Sequence, residues 1–189
     1  MTKNLLRNEM LTTLRNIKKN EYDQLCAEIN NFFITSEEFR NAEIIGLTIS
    51  RFPEVNTRPI IDAIWSIGKK VVVPKCIKQT KEMDFRLITS YNDLETVYMD
   101  LQEPIVAQTK SIAKKEIDLQ IVPGVLYSAE GYRVGFGGGY YDRYLKNFRG
   151  HTMSLAFNYQ TGHTLPLEMH DVPVESIITE KGIYSCKKK

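Results

Sequence analysis

Glu43-Ile-Ile-Gly-Leu-Thr-Ile-Ser50, Thr57 through Ile67 and Lys70-Val-Val-Val-Pro74 follow one another in the chain. The first and last are short, apolar and rich in β-branched residues, the pattern of strands buried on both faces. The stretch between them has Thr57 near a helix cap and Pro59 in the first turn, so it reads as a helix. Strand, helix, strand is a βαβ unit, which implies a parallel sheet with helices packed on it.

The same alternation continues in both directions. Leu6, Met10, Leu14 and Ile17 make one apolar stripe over residues 3–19, with Thr2 as N-cap. A second helix runs from about Glu21, with Tyr22, Leu25, Cys26, Ile29 and Phe33 inward, to Thr35-Ser36. Met83 through Ile88 alternates like a half-exposed strand. Asp118-Leu-Gln-Ile-Val-Pro123, Ser154 through Asn158 and Val174 through Ile178 complete the strands, and Tyr140 to Arg149 reads as a helix. The expectation is one α/β domain over residues 1–189, a three-layer α/β/α architecture with a largely parallel, Rossmann-like sheet.

Composition narrows the class. Apolar residues at 42% and charged residues at 25% are globular proportions and exclude a disordered chain. No apolar run approaches the ~20 residues of a membrane span. The opening Met1-Thr-Lys-Asn-Leu-Leu-Arg7 has no apolar signal core, and Cys26, Cys76 and Cys186 are too scattered for a disulfide or metal framework. A cytoplasmic protein is expected. The formal net charge of +2 hides a polarity: residues 1–20 carry +4, Lys187 to Lys189 add +3, and the rest is acidic. A basic first helix could attract phosphate, although composition alone favours a solvated face.

Six of the 11 glycines fall between positions 124 and 139. Gly135, Gly137, Gly138 and Gly139 lead directly into the helix at Tyr140, and glycines feeding a helix N-terminus bind phosphate. No lysine follows them, which excludes a P-loop, and Tyr140 replaces the third glycine of a dinucleotide fingerprint. Asp142 in the helix's first turn reads equally as a Mg²⁺ ligand beside phosphate or as an aspartate favoured by the helix dipole.

Arg133-Val-Gly-Phe-Gly-Gly-Gly-Tyr-Tyr-Asp-Arg-Tyr-Leu145 resembles the signature of the 5-formyltetrahydrofolate cyclo-ligase family. Further resemblances run in family order: Lys3 and Arg7 to an N-terminal Lys-x-x-x-Arg, Glu54-Val-Asn-Thr57 to Glu-Val-x-Thr, Val73-Pro-Lys75 to a strand end, and Glu103-Pro104 to Glu-Pro. Two departures stand out: Tyr127-Ser128 where members often have Phe-Asp, and Asp100-Leu101 where they have Gly followed by Ile or Leu.

The resemblance implies a carbon–nitrogen ligase that uses ATP and Mg²⁺ to convert 5-formyltetrahydrofolate to 5,10-methenyltetrahydrofolate, releasing ADP and phosphate through a phosphorylated formyl group. It places ATP on Lys3, Asn4, Leu5, Leu6 and Arg7, and on Arg133, Val134, Gly135, Phe136, Gly137, Gly138, Gly139, Tyr140, Tyr141 and Asp142. Lys75, at a strand's carboxyl end, is a further phosphate candidate. Metal would sit on Asp142 and Asp171. Folate would meet Ile49, Glu54, Gly137 to Gly139, Tyr140 and Tyr141, with Arg133, Tyr141 and Asp142 at the reacting atoms. His151, His163 and His170 lack ligand spacing and read as structural.

Expected partners are therefore small molecules, with no nucleic acid or membrane, in a monomer or weak homodimer. Two other classes compete. A sugar-phosphate isomerase or CoA-transferase-like enzyme would need no ATP. An RNA-binding module could use the basic helix and the seven aromatics between Tyr127 and Phe148, against an acidic remainder.

Overall fold

A computed structural model of the chain describes residues 2–186, so Met1 and the basic tail Lys187 to Lys189 lie outside the described residues. The chain opens with α1 (Lys3–Arg15), α2 (Lys19–Thr35) and the short α3 (Glu37–Asn41). The βαβ unit follows as β1 (Ile44–Gly46), α4 (Arg58–Ser66) and β2 (Lys70–Ile77). Then come β3 (Glu82–Ile88), β4 (Leu94–Thr96), β5 (Gln102–Pro104), β6 (Lys110–Ser111), β7 (Leu119–Ile121), β8 (Leu126–Tyr127) and β9 (Arg133–Val134). The last elements are α5 (Tyr140–Leu145), β10 (His151–Leu155), β11 (Ser176–Thr179) and β12 (Gly182–Ser185).

One sheet has the order β12-β11-β10-β7-β1-β2-β3-β6. Its five central strands, β11, β10, β7, β1 and β2, are mutually parallel. β12, β3 and β6 are antiparallel additions at its edges. The βαβ reading holds: Ile45 pairs with Val71 and Gly46 with Val72. Gly46 also pairs with Gln120 of β7, and a Cβ there would meet Gln120 Oε1 at 2.4 Å, so a larger residue would have to displace the Gln120 amide.

The pleat sends alternate side chains to opposite cores. Val71 and Val73 join Met10, Tyr22, Phe33 and Ile61 under α1, α2 and α4. Val72 joins Phe85, Tyr127, Tyr144 and Leu145 under α5. The architecture has three layers as expected, but unequal ones, since a single short helix and loops cover the second face. Among the described residues no helix is long and apolar enough to cross a membrane.

Several boundaries differ from expectation. The helix expected to reach Arg149 stops at Leu145, because Lys146 is extended and Asn147 takes φ +63°, a conformation that asparagine tolerates. Phe148 still reaches the core from the loop. The strand expected over Glu43 to Ser50 pairs only through Gly46. Its continuation is tied sideways instead: Thr57 Oγ1 donates to the Thr48 carbonyl at 2.9 Å and accepts from the Ser50 N–H at 3.0 Å. The side chain of Thr57 therefore does not cap α4; Asn56 Oδ1, accepting from the Arg58 N–H at 3.1 Å, does.

Candidate active site

Ligands of parallel α/β sheets bind beyond the carboxyl ends of the strands. Here Thr48 follows β1, Pro123 follows β7, and Pro74 and Cys76 lie in the last part of β2. All four line a cavity of about 320 Å³. Its opposite wall is the glycine segment from Arg133 to Asp142, and its rim is α1 with Lys3 and Arg7 and the loop carrying Glu168, His170 and Asp171.

The first turn of α1 is turned into this cavity rather than into solvent. Thr2 caps it by accepting from the Leu5 N–H, and the i, i+4 spacing puts Lys3 and Arg7 on one face. Arg7 Nε donates to the Gly135 carbonyl at 2.6 Å, and Asn4 Oδ1 braces the guanidinium at 3.1 Å. Gly137 has φ +99°, and a Cβ there would come to 3.6 Å from the Arg7 guanidinium. A side chain at that position would be strained and would cover the cation.

Two ion pairs close the cavity. Lys3 Nζ donates to both oxygens of Asp171, at 2.8 and 2.7 Å, and lies 3.4 Å from Glu168. Burial would raise the Asp171 carboxyl, but the Lys3 hydrogen bonds, the Glu168 N–H and the neighbouring positive charges outweigh it and hold the pKa low. Arg133 is buried; its Nη2 pairs with Asp142 Oδ1 at 2.9 Å and its Nη1 donates to the Val172 carbonyl at 2.6 Å. The Val172 N–H in turn points at Asp142 Oδ1 at 3.4 Å. Arg133 thus bridges the glycine segment to the 168–172 loop. Tyr141 also lines the cavity, and its buried hydroxyl has no hydrogen-bond partner among the described residues.

A second, smaller pocket of about 30 Å³ shares Thr48 and Pro123 with the first and is lined by Glu54, Gly124 and Gln160. Among the described residues Glu54 forms no ion pair; its Oε1 accepts the Arg51 N–H, at 3.4 Å. Burial raises its pKa to about 7, against a smaller lowering by Arg51.

The expected site residues divide accordingly. Lys3, Arg7, Arg133 through Asp142 and Asp171 converge on the large cavity, and Glu54 on the adjoining pocket. Asn4 acts through Arg7, Leu5 is exposed, and Leu6 packs on the core. Ile49 lies in the core rather than in either pocket, whose walls are its neighbours Thr48 and Ser50. Lys75 is turned away to Glu95 at 2.7 Å and Glu103 at 3.2 Å, while Cys76 faces the cavity. His170, read as structural, lines the cavity beside Glu168, 3.3 Å away. Thr48, Met83 and Gln160 carried no sequence signal, since an isolated residue after a strand has no motif of its own.

A sequence profile described as the 5-formyltetrahydrofolate cyclo-ligase family matches residues 1–180. The chain belongs to that family. A 5-formyltetrahydrofolate cyclo-ligase from Mus musculus is 29% identical to this member, with 93% of the chain and 92% of the relative covered. The corresponding protein from Haemophilus influenzae is 28% identical, over 91% and 96%. The NMR structure of Aquifex aeolicus 5,10-methenyltetrahydrofolate synthetase superposes with a TM-score of 0.87 at 28% identity, covering 100% of this chain and 95% of that one. The family is one of ligases, so the isomerase and RNA-module readings fall away.

Asp100 illustrates how this member departs from its family pattern. It sits at φ +57°, where the family's glycine would be free of strain. Aspartate is one of the few side chains that tolerate the region.

Proposed function

We propose that this chain converts 5-formyltetrahydrofolate to 5,10-methenyltetrahydrofolate, driven by ATP with Mg²⁺. The observation that carries the reading is the convergence of Lys3, Arg7 and Arg133 on a glycine-walled cavity that shares Thr48 and Pro123 with the pocket of Glu54. Phosphates suit the first compartment and a flat, N–H-rich pterin the second.

The chemistry needs both. A formyl oxygen is a poor leaving group and N10 of the folate a weak nucleophile. The formyl oxygen attacks the γ-phosphorus of ATP and ADP departs, leaving an iminium phosphate. N10 then attacks the formyl carbon and gives up its proton, and the carbon–oxygen bond breaks to release phosphate, which can carry that proton away. Phosphoryl transfer of this kind depends on alignment and charge neutralisation. Arg7 and Arg133 neutralise and orient the phosphate oxygens, and open Gly135 and Gly139 leave backbone within reach of them. α5 has only six residues, so the cations, more than a helix dipole, supply the positive field.

The donor set fits Mg²⁺ arriving with the nucleotide. Two carboxylates, Asp142 and Asp171, line the cavity, and among the described residues no group of three metal-binding side chains exists to hold a resident ion. Bound there, the metal would offset negative charge on the transferring phosphate. Glu54, when ionised, accepts two adjacent pterin N–H groups.

The test is absorbance of the methenyl product from 5-formyltetrahydrofolate. Product is expected only when ATP and Mg²⁺ are both present; formation without ATP, or none with it, refutes the reading.

A further inference from the structure

The two pockets of the site meet at a narrow border. Among the described residues, Thr48 and Pro123 alone are walls of both. Pro123 has no proton to exchange, so Thr48 is the one hydrogen-bonding side chain that faces both compartments.

The fold sets the direction of that side chain. Ile45, Leu47 and Ile49 all enter the core under α1, α2 and α4. The Leu47 N–H still donates to the Val72 carbonyl at 3.0 Å, so the alternation of the strand persists past Gly46. Thr48 is thereby turned to the opposite face, toward the glycine segment. Its main chain is clamped by Thr57 Oγ1, which donates to the Thr48 carbonyl at 2.9 Å. Its hydroxyl is left over: Thr48 is half-buried, yet its side chain makes no hydrogen bond among the described residues. The hydroxyls beside it are committed, since Ser50 Oγ accepts from the Thr57 N–H at 2.9 Å and Thr57 Oγ1 holds Thr48. Tyr141 is also unpartnered, but it borders the larger cavity alone.

We propose that Thr48 is a catalytic residue whose hydroxyl carries the N10 proton of the folate to the departing phosphate. The inference rests on the folate reading above and adds the route of that proton. N10 loses a proton as it joins the formyl carbon, and the phosphate gains one as the carbon–oxygen bond breaks. The N10–H bond and the Thr48 O–H bond break; a new Thr48 O–H bond and a phosphate O–H bond form. The hydroxyl ends as it began. Threonine suits this exchange because it donates and accepts at one atom and need never ionise. Glu54 is engaged elsewhere, for N10 lies on the opposite side of the ring system from the pterin N–H groups that a carboxylate can hold. On the phosphate side, burial and the neighbouring Glu103 push the Cys76 thiol up to about 12, so it keeps its own proton.

The experiment is rapid quench on wild type, Thr48→Val and Thr48→Ser, following ADP and the methenyl absorbance together. Thr48→Val keeps the shape and removes the hydroxyl. Its first turnover should form ADP at close to the wild-type rate while methenyl product lags by roughly a hundredfold, the scale of one proton-transfer group. Thr48→Ser should recover most of the lost rate. Product at the wild-type rate in Thr48→Val means that the proton leaves by another route and overturns the relay. Equal slowing of ADP and product, the mark of a structural role, overturns it too. Absence of product from wild type with ATP and Mg²⁺ sinks the folate reading itself, and the relay with it. A measurement on the unaltered protein covers a variant that fails to fold: the rate of the methenyl-forming step against the deuterium content of the solvent. Two protons in flight bow that plot downward, whereas a straight line or no dependence refutes the relay.

Discussion

Asp171 and Glu54 both lie beyond the carboxyl ends of the parallel strands, in pockets that share Thr48 and Pro123 as walls. Asp171 is gripped by Lys3 through both oxygens and held low, whereas Glu54 makes no ion pair among the described residues and burial, against a smaller lowering by Arg51, raises it to about 7. The difference comes from which loops meet the sheet there. Around Asp171, α1 brings two cations across the mouth; around Glu54, β1's continuation and Gln160 bring mostly backbone and neutral groups, with Arg51 acting weakly. One end of one sheet thereby carries a pocket rimmed by paired charges and, beside it, a pocket whose carboxylate makes no ion pair among the described residues, the division on which the proposed function rests.

The largest expected effect strikes the anionic side. Asp142→Asn should keep the fold and lose at least about a hundredfold in kcat, since it weakens the partner of Arg133 and the placement of metal. Steady-state kinetics with a thermal melt check both halves, and wild-type turnover at ordinary Mg²⁺ would erase the distinction drawn for this carboxylate. Glu54→Gln should act on the other compartment, replacing one acceptor by a donor that faces a donor. A mismatch of that kind costs about 1–3 kcal/mol, roughly 5- to 150-fold in folate affinity. Calorimetry with each ligand alone should show ATP binding spared; the reverse pattern would exchange the two compartments.

Lys3→Ala and Arg7→Ala come next, each raising the KM for ATP by about tenfold with the folate KM little changed. Equal effects on both substrates would mean that α1 only shapes the cavity. The smallest effect sharpens the comparison through pH. Glu54 binds its proton more tightly folded than unfolded, so its contribution to stability is full below about pH 4.5 and lost as pH rises through about 7. Discounted for its partial exposure, that amounts to about 1–2 kcal/mol. Glu54→Gln should therefore gain melting temperature over wild type at pH 8, and the gain should vanish near pH 4. A pH-independent difference would deny the raised pKa.

The central βαβ unit was legible because β-branched runs and a helix of opposite periodicity admit one arrangement. The glycine segment was legible because crowding of that residue has few other causes. Composition misjudged the first helix: charge counts cannot tell that Lys3 and Arg7 face inward, since their partners, Asp171 and Gly135, lie far along the chain. Lys75 shows the same dependence on distant partners. Its strand-end position suits a phosphate, but Glu95 and Glu103 on the β4–β5 hairpin claim it. The edge strands β6 and β12 were unreadable, being short and partly polar, and pair only because an edge was there to extend.

Arg7 holds Gly135 across 128 residues, and Lys3 holds Asp171 across 168. Synthesis runs from the N-terminus, so these grips join α1 to segments that emerge long after it. Until Gly135 emerges Arg7 lacks its partner, and until Asp171 emerges Lys3 lacks its own, so the cavity's rim and charge balance are incomplete. A nascent chain can therefore acquire much of its sheet while the anionic compartment is still open. The rim of the cavity is completed in a late step, when α1 meets the loop that carries Asp171.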